Sequence, residues 1–190
     1  MSIDSAVESG TRARTRRAIL DAAFQVLGRN SGASLAEIAA EAEVGRSTLH
    51  RYYPERADLL VALGQDALDN LGAALERARP TDGSADAALR RMSHECFGLG
   101  PVITLVFGDP HSLANQEFWD RLDTIDAPLI ALIERGQDEG SIGRSLEVRW
   151  IRRMLWWTLL TGWESFEHEG YSRTEALEAI DKTISGIIRD

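Results

Sequence analysis

The chain has a single cysteine, Cys96, in 190 residues. That excludes an intrachain disulfide framework and leaves no cysteine set for a zinc site, so the role expected of Cys96 is a small buried thiol. No apolar run approaches the length of a membrane span, and the N-terminus carries no signal-type apolar stretch. A cytoplasmic protein with no membrane partner is expected. Alternating strand patterns are missing throughout. Also missing are a phosphate-cradling glycine loop, a nucleophile-elbow serine and a histidine pair at zinc spacing, so nothing calls for a cofactor, a metal or a catalytic residue. Glu164 with His168, and His94 with Glu95, read as helix-surface neighbours rather than metal ligands.

The net charge of −9 argues at first against a nucleic-acid partner. Position reverses that inference. Between Thr11 and Arg56 eight arginines stand against five acids, whereas beyond Arg56 thirteen basic residues stand against twenty-three acidic ones. A basic head on an acidic body presents a local positive field to DNA while discouraging indiscriminate wrapping. Hydrophobic residues at 44% and charged ones at 27% are ordinary for a folded globular chain.

The stretch Ser34 to Arg56 organises the head. Ser34-Leu35-Ala36-Glu37 is a capping box, and the helix it opens carries Leu35, Ile38, Ala39 and Ala42 on a small, tight face. Glu43-Val44-Gly45 makes a turn, with Gly45 as N-cap of a second short helix and Val44 and Leu49 as a hydrophobic staple. Pro54 ends that helix. Two short helices joined by such a turn form a helix-turn-helix. Leu49 and Tyr53 face inward; Arg46, Ser47, His50 and Arg51 face outward, and these residue types meet phosphates and base edges.

In order and without gaps, Ile38-Ala39, Ala42, Val44, Thr48-Leu49, His50-Arg51-Tyr52-Tyr53, Arg56 and Leu59 resemble the DNA-binding signature of the tetracycline-repressor (TetR) family. The resemblance implies that Arg46, Ser47, Thr48, His50 and Arg51 contact DNA and that Tyr52 and Arg56 lie on backbone phosphates, with Ser34 at the same surface. Glu43 stands where the family usually has a turn glycine, His50 replaces a tyrosine and Arg56 a lysine. A glutamate forced into the left-handed region costs about 1 kcal/mol or more, which points to a differently shaped turn here.

Around this hairpin the expected fold is all-α. It has an N-terminal three-helix helix-turn-helix head (11–56), preceded by a flexible arm (1–10), and a C-terminal helical ligand-binding and dimerisation body (57–190). Thr11 to Arg17 brings four arginines to the start of the first helix, where cations oppose the helix dipole; phosphate contact explains them, with Arg14 and Arg17 as candidates. Ala57 to Arg79 is a helix linking head to body. Ala85 to Phe97 follows, then an apolar segment Val102 to Phe107, and a helix Leu113 to Arg135 that Pro128 should kink or break. Gly136 to Ser145 reads as a turn. Leu146 to Glu169 is apolar on more than one side, and Arg173 to Ile188 closes the chain.

All five tryptophans lie beyond Arg56. Core filling is the default for each; the resemblance adds a cavity for a small apolar or amphipathic effector. Met92, Phe107, Trp119 and Trp157 are the candidate lining, with Arg91 or His94 as polar anchor. Small residues Ala176, Ala179 and Thr183 beside Ile180 and Ile187, together with Trp156, predict a symmetric homodimer interface. The expected function is a ligand-responsive regulator, a repressor binding a palindromic double-stranded DNA operator as a dimer. The alternative is an α-helical small-molecule carrier or enzyme whose hairpin is only structural. Salt-dependent binding to a short palindromic duplex separates the two.

Overall fold

The computed structural model describes residues 3–104 and 116–188, with side chains from Gly10 onward. Ten helices and no strand are found among the described residues. The head consists of α1 (Ile3–Arg29), α2 (Leu35–Glu41) and α3 (Arg46–Tyr52). Helix α4 (Arg56–Arg77) leaves the head and enters the body. The body continues with α5 (Ala85–Phe97), α6 (Gly100–Ile103), α7 (Gln116–Ile125), α8 (Ala127–Glu139), α9 (Val148–His168) and α10 (Arg173–Ile187). None of the described helices is long and apolar enough to cross a membrane.

The expected arm is replaced by helix: α1 begins at Ile3. Gly10 is the only strong helix breaker between Ile3 and Thr11, and its cost of about 1 kcal/mol does not interrupt a helix anchored further along. That anchor is the apolar stripe Ile19, Leu20, Ala23, Phe24 and Leu27. It is buried together with Ile38 and Ala39 of α2, Leu49 of α3, Tyr53 just beyond it and Leu59 and Leu63 of α4. One apolar cluster runs from this head core into the body, so head and body share packing through α4.

Pro128 breaks the long helix as expected. It lies in the first turn of α8, where a missing N–H costs nothing, and Asp126 is the residue between the two helices. The glycine turn begins later than expected. Helix α8 runs through Gly136 to Glu139 and closes at Gly140, whose φ of 75° is left-handed. Gly136 is inside the helix because a Cβ there would come within 2.5 Å of Ile142 and 2.9 Å of Ala85. The same economy brings α9 against α10, where a Cβ on Gly162 would meet Ile180 at 2.5 Å. Of the expected apolar segment, Val102 and Ile103 belong to α6, while Phe107 lies outside the described residues.

Candidate nucleic-acid interface

The hairpin is built from its caps. The Glu37 N–H donates to Ser34 Oγ (3.3 Å), and the Ser34 N–H and hydroxyl donate back to Glu37 Oε2 at 2.8 and 2.7 Å. The backbone N–H of Ser34, then its hydroxyl, hold the Glu37 carboxyl below the usual glutamate range. The turn keeps its left-handed residue all the same: beyond Ala42, Glu43 sits at φ 53°, a conformation that glycine adopts without the Cβ penalty. The Val44 N–H closes the turn on Ala39 O (3.0 Å), and Gly45 caps α3 through its carbonyl, which accepts from Thr48 and Leu49 at 2.9 and 3.0 Å.

Leu49 and Tyr53 fix α3 from beneath, both buried. Its outer face presents Arg46, Ser47, His50 and Arg51 to solvent, with Thr48 and Tyr52 half-buried at the edges. Arg46, Ser47, Thr48 and His50 have no side-chain hydrogen bond or ion pair among the described residues. The Arg51 guanidinium lies 5.9 Å from the ring centre of Tyr52. The Tyr52 hydroxyl donates to Arg12 O (3.3 Å), tying the end of α3 to α1.

Two arginines expected on DNA are committed elsewhere. Arg56 donates to Ala33 O and, at 2.6 Å, to Ser31 O. It stands at the start of α4, beside the α1–α2 loop whose carbonyls lack helical partners, and its forked donor satisfies two of them. Arg17 bridges Asp66 of α4 (2.6 Å) and Asp21 of α1 (2.7 Å), and is a head-to-body tie. Arg14 is exposed and donates to Thr11 Oγ1 (3.2 Å), one turn back on its own helix.

The effector candidates do not converge on one cavity among the described residues. Met92 is buried in α5, and Trp119 is half-buried, edge-on to Phe118 at 5.4 Å. Arg91 is not a polar anchor; it fastens the α4–α5 loop by donating to Ala78 O, Arg79 O and Asp82 O at 3.0, 3.0 and 2.5 Å. His94 is exposed, with Nε2 3.2 Å from Asp181 Oδ2 of α10. Both are drawn to the loop carbonyls and the carboxylate that lie next to them.

Trp156, expected at the dimer interface, and Trp157, expected to line a cavity, differ sharply in burial. Trp156 is buried and its indole N–H donates to Asp126 Oδ2 (3.1 Å); it is core, not interface. Trp157 is 47% exposed. Neighbours on a helix point about 100° apart, so one must turn in where the other turns out, and composition cannot tell which. Trp157 lines an open groove of about 380 Å³ between α9 and α10, with Met154, Thr161, Tyr171, Ala179 and Thr183. Ala176 and Ile180 are buried beneath that groove, while Ala179 and Thr183 are exposed and Ile187 half-buried. Trp150, Trp157 and Tyr171 are three of the four large apolar side chains exposed on the described surface.

Sequence reasoning passed over Asp126. It is 1% exposed, and its other oxygen, Oδ1, has no hydrogen-bond partner. Burial pushes its carboxyl up to about 6, while Arg152 at 3.6 Å and the Trp156 N–H pull the other way. Pro128 marks the place of Asp126 between two helices, but the aspartate side chain makes no capping hydrogen bond, and nothing near it in sequence announces Trp156 or Arg152. Cys96 is buried as expected, and burial pushes its thiol up to about 12, leaving it unreactive.

Comparison with known proteins places this geometry. Residues 19–63 match the model of the bacterial regulatory proteins of the tetR family. The HTH-type transcriptional repressor LfrR of Mycolicibacterium smegmatis is 44% identical over 183 residues, spanning 96% of this chain and 95% of that protein. The crystal structure of LfrR from Mycobacterium smegmatis in complex with proflavine superposes with a TM-score of 0.80 at 40% identity, covering 95% of this chain and 99% of that one. A TetR family regulator from Marinobacter aquaeolei, 19% identical, shares the fold with a TM-score of 0.76 over 96% of this chain and 99% of its own.

Proposed function

Because the chain belongs to the TetR family of bacterial regulatory proteins, we propose that it is a ligand-responsive transcriptional repressor, binding a palindromic operator as a homodimer and released by a small effector held in its body. The observation that carries this reading is the outer face of α3. Arg46, Ser47 and His50 are rigidly presented from a capped hairpin and left without partners inside the chain, which suits side chains meant for base edges and phosphates. One hairpin reads half a site, so two heads on a symmetric pair read a palindrome. The exposed face of α9 and α10, with Trp157 beside Ala179 and Thr183, is the surface that pairs.

The relative's complex with proflavine supports an apolar or amphipathic effector, and proflavine, a planar aromatic cation, is the probe to begin with. Helix α4 couples the two ends, since it packs on α1 in the head and on α5 and α7 in the body. An effector that favours one placement of α4 shifts the population toward it. Turning a mostly bound repressor into a mostly released one takes a differential affinity of about 5.5 kcal/mol.

Selection from random duplexes is expected to return one shared palindrome; recovery of unrelated sequences with no common half-site would refute the reading. Tryptophan-fluorescence titration with proflavine, with and without that operator, tests the switch. Operator must weaken proflavine binding by the factor by which proflavine weakens operator binding.

A further inference from the structure

We infer that α1 carries a second DNA-contact surface made by Arg12 and Arg16, which grip backbone phosphates flanking the groove that α3 enters. This rests on the DNA-binding reading of α3 and adds a separate element to it.

Position along α1 selects these two arginines. Arg12 and Arg16 are four residues apart, and Leu20, Ala23 and Leu27 continue the same row at helical spacing. Leu20, Ala23 and Leu27 are buried in the head core, where α1 packs on α2. The row therefore faces the hairpin, and where it runs past the end of the core it changes from leucine to arginine. At about 100° per residue, Arg14 points to the opposite side of α1 and Arg17 turns sideways, toward α4. The ion pair of Arg17 with Asp66 and the local bond of Arg14 to Thr11 agree with that placement.

The overhang is fixed rather than free. It is helical, and the Tyr52 hydroxyl holds its backbone at Arg12 O, beside the last residue of α3. Arg12 and Arg16 are exposed, and neither side chain has a hydrogen bond or ion pair among the described residues. The only acid in α1 from Thr11 onward is Asp21, which Arg17 occupies. Two exposed guanidinium groups on one face, near the exit of a helix whose outer face carries Arg46 and Arg51, fit a phosphate backbone.

The test uses the full-length protein and a duplex recovered by the selection above, with affinity measured across a range of salt concentrations. Arg12→Ala and Arg16→Ala should each make the slope of log K against log salt shallower by about 0.9, with base preference unchanged. Arg14→Ala should leave the slope as it is, and Arg12→Lys with Arg16→Lys should restore it. Ethylation interference should show that the phosphates outside the half-site matter to the wild type but not to the double alanine variant. An unchanged slope in the double variant, or an equal loss in Arg14→Ala, would overturn the inference. Arg46→Ala separates the two levels: if it too leaves base preference intact, the α3 reading fails, whereas if it alone acts, only the α1 surface does. Thermal melting of each variant at the wild-type temperature confirms that the head still folds.

Discussion

In the body, Arg77 holds Glu95, Arg121 holds Asp69, Arg144 holds Asp138 and Arg152 holds Asp123, each within 2.9 Å. On α3, Arg46 and His50 hold nothing, and Arg51 only leans on its neighbour Tyr52. The same residue type is spent inside the molecule in one region and left free in the other. An exposed ion pair stabilises a fold by well under about 1 kcal/mol, so the body's pairs are mainly orienting contacts between helices. The unpaired arginines of α3 gain nothing for the fold, which fits the external use proposed for them. Arg149 and Arg153 are the body's exceptions. Both are exposed, with no side-chain hydrogen bond or ion pair among the described residues, beside Trp150 on the part of α9 next to the proposed dimer face.

The largest effect is expected where the body's charges are most deeply buried. Asp126 titrates at about 6 when folded, against an ordinary value of 3.8, a difference of about 3 kcal/mol. The folded state binds the extra proton between those values. This contribution is therefore fully present below pH of about 4, falls as pH rises toward 6, and is gone above it. Asp126→Asn should remove that slope, so the stability of the variant relative to wild type should rise by about 3 kcal/mol from pH 4 to pH 7. Chemical denaturation at a series of pH values measures it. Glu37, Asp86 and Glu175, all held low, pull the wild-type curve the opposite way, so only the difference between the two proteins is diagnostic. Parallel curves would mean that the buried carboxyl is not perturbed.

Next come the free cations. Arg46→Ala or Arg51→Ala should cost about 1–3 kcal/mol of operator affinity and relax preference at one position, with melting unchanged. A lowered melting temperature instead would place these residues with the body's structural arginines. Arg56 sharpens the boundary between the groups. Because it binds Ser31 O and Ala33 O, Arg56→Ala should destabilise the head by about 1.5 kcal/mol. The salt slope of DNA binding should stay unchanged; a shallower slope with full stability would return Arg56 to the phosphates. Smallest is the turn. Glu43→Gly relieves a left-handed glutamate and should raise head stability by about 0.5–1 kcal/mol, read as a shift in the denaturation midpoint. No gain would mean that the turn stores no strain.

The head was legible because its determinants are local. A capping box, a turn and an inward leucine–tyrosine pair each span a few residues, and all stand where the sequence put them. The left-handed φ of Glu43 was not read in advance: the resemblance only marked the position as lacking the family's glycine, which pointed to a differently shaped turn. Partners distant in sequence were not readable. Nothing near Arg17 announces Asp66, and nothing near Arg56 announces Ser31, so both looked available for DNA. Trp156 was misplaced for a related reason: a helix apolar on several sides does not declare which ring faces Asp126 and which faces the groove between α9 and α10. The break before Pro128 was foreseen, but the buried aspartate that fills it was not.

Helix α4 has a consequence that is purely metric. Its 22 residues make a rod about 33 Å long. Held at its body end, such a rod needs a tilt of only about 6° to carry its head end about 3.4 Å, the rise of one base pair. If both members of a symmetric pair tilt in opposite senses, about 3° each is enough. A single pair inserted or deleted at the operator's centre adds more than that rise: it also turns one half-site by about 35° around the DNA axis, which no tilt of α4 restores. Such an operator should lose the second head whatever the placement of α4, because the tilt only moves a head along a groove that is already in phase.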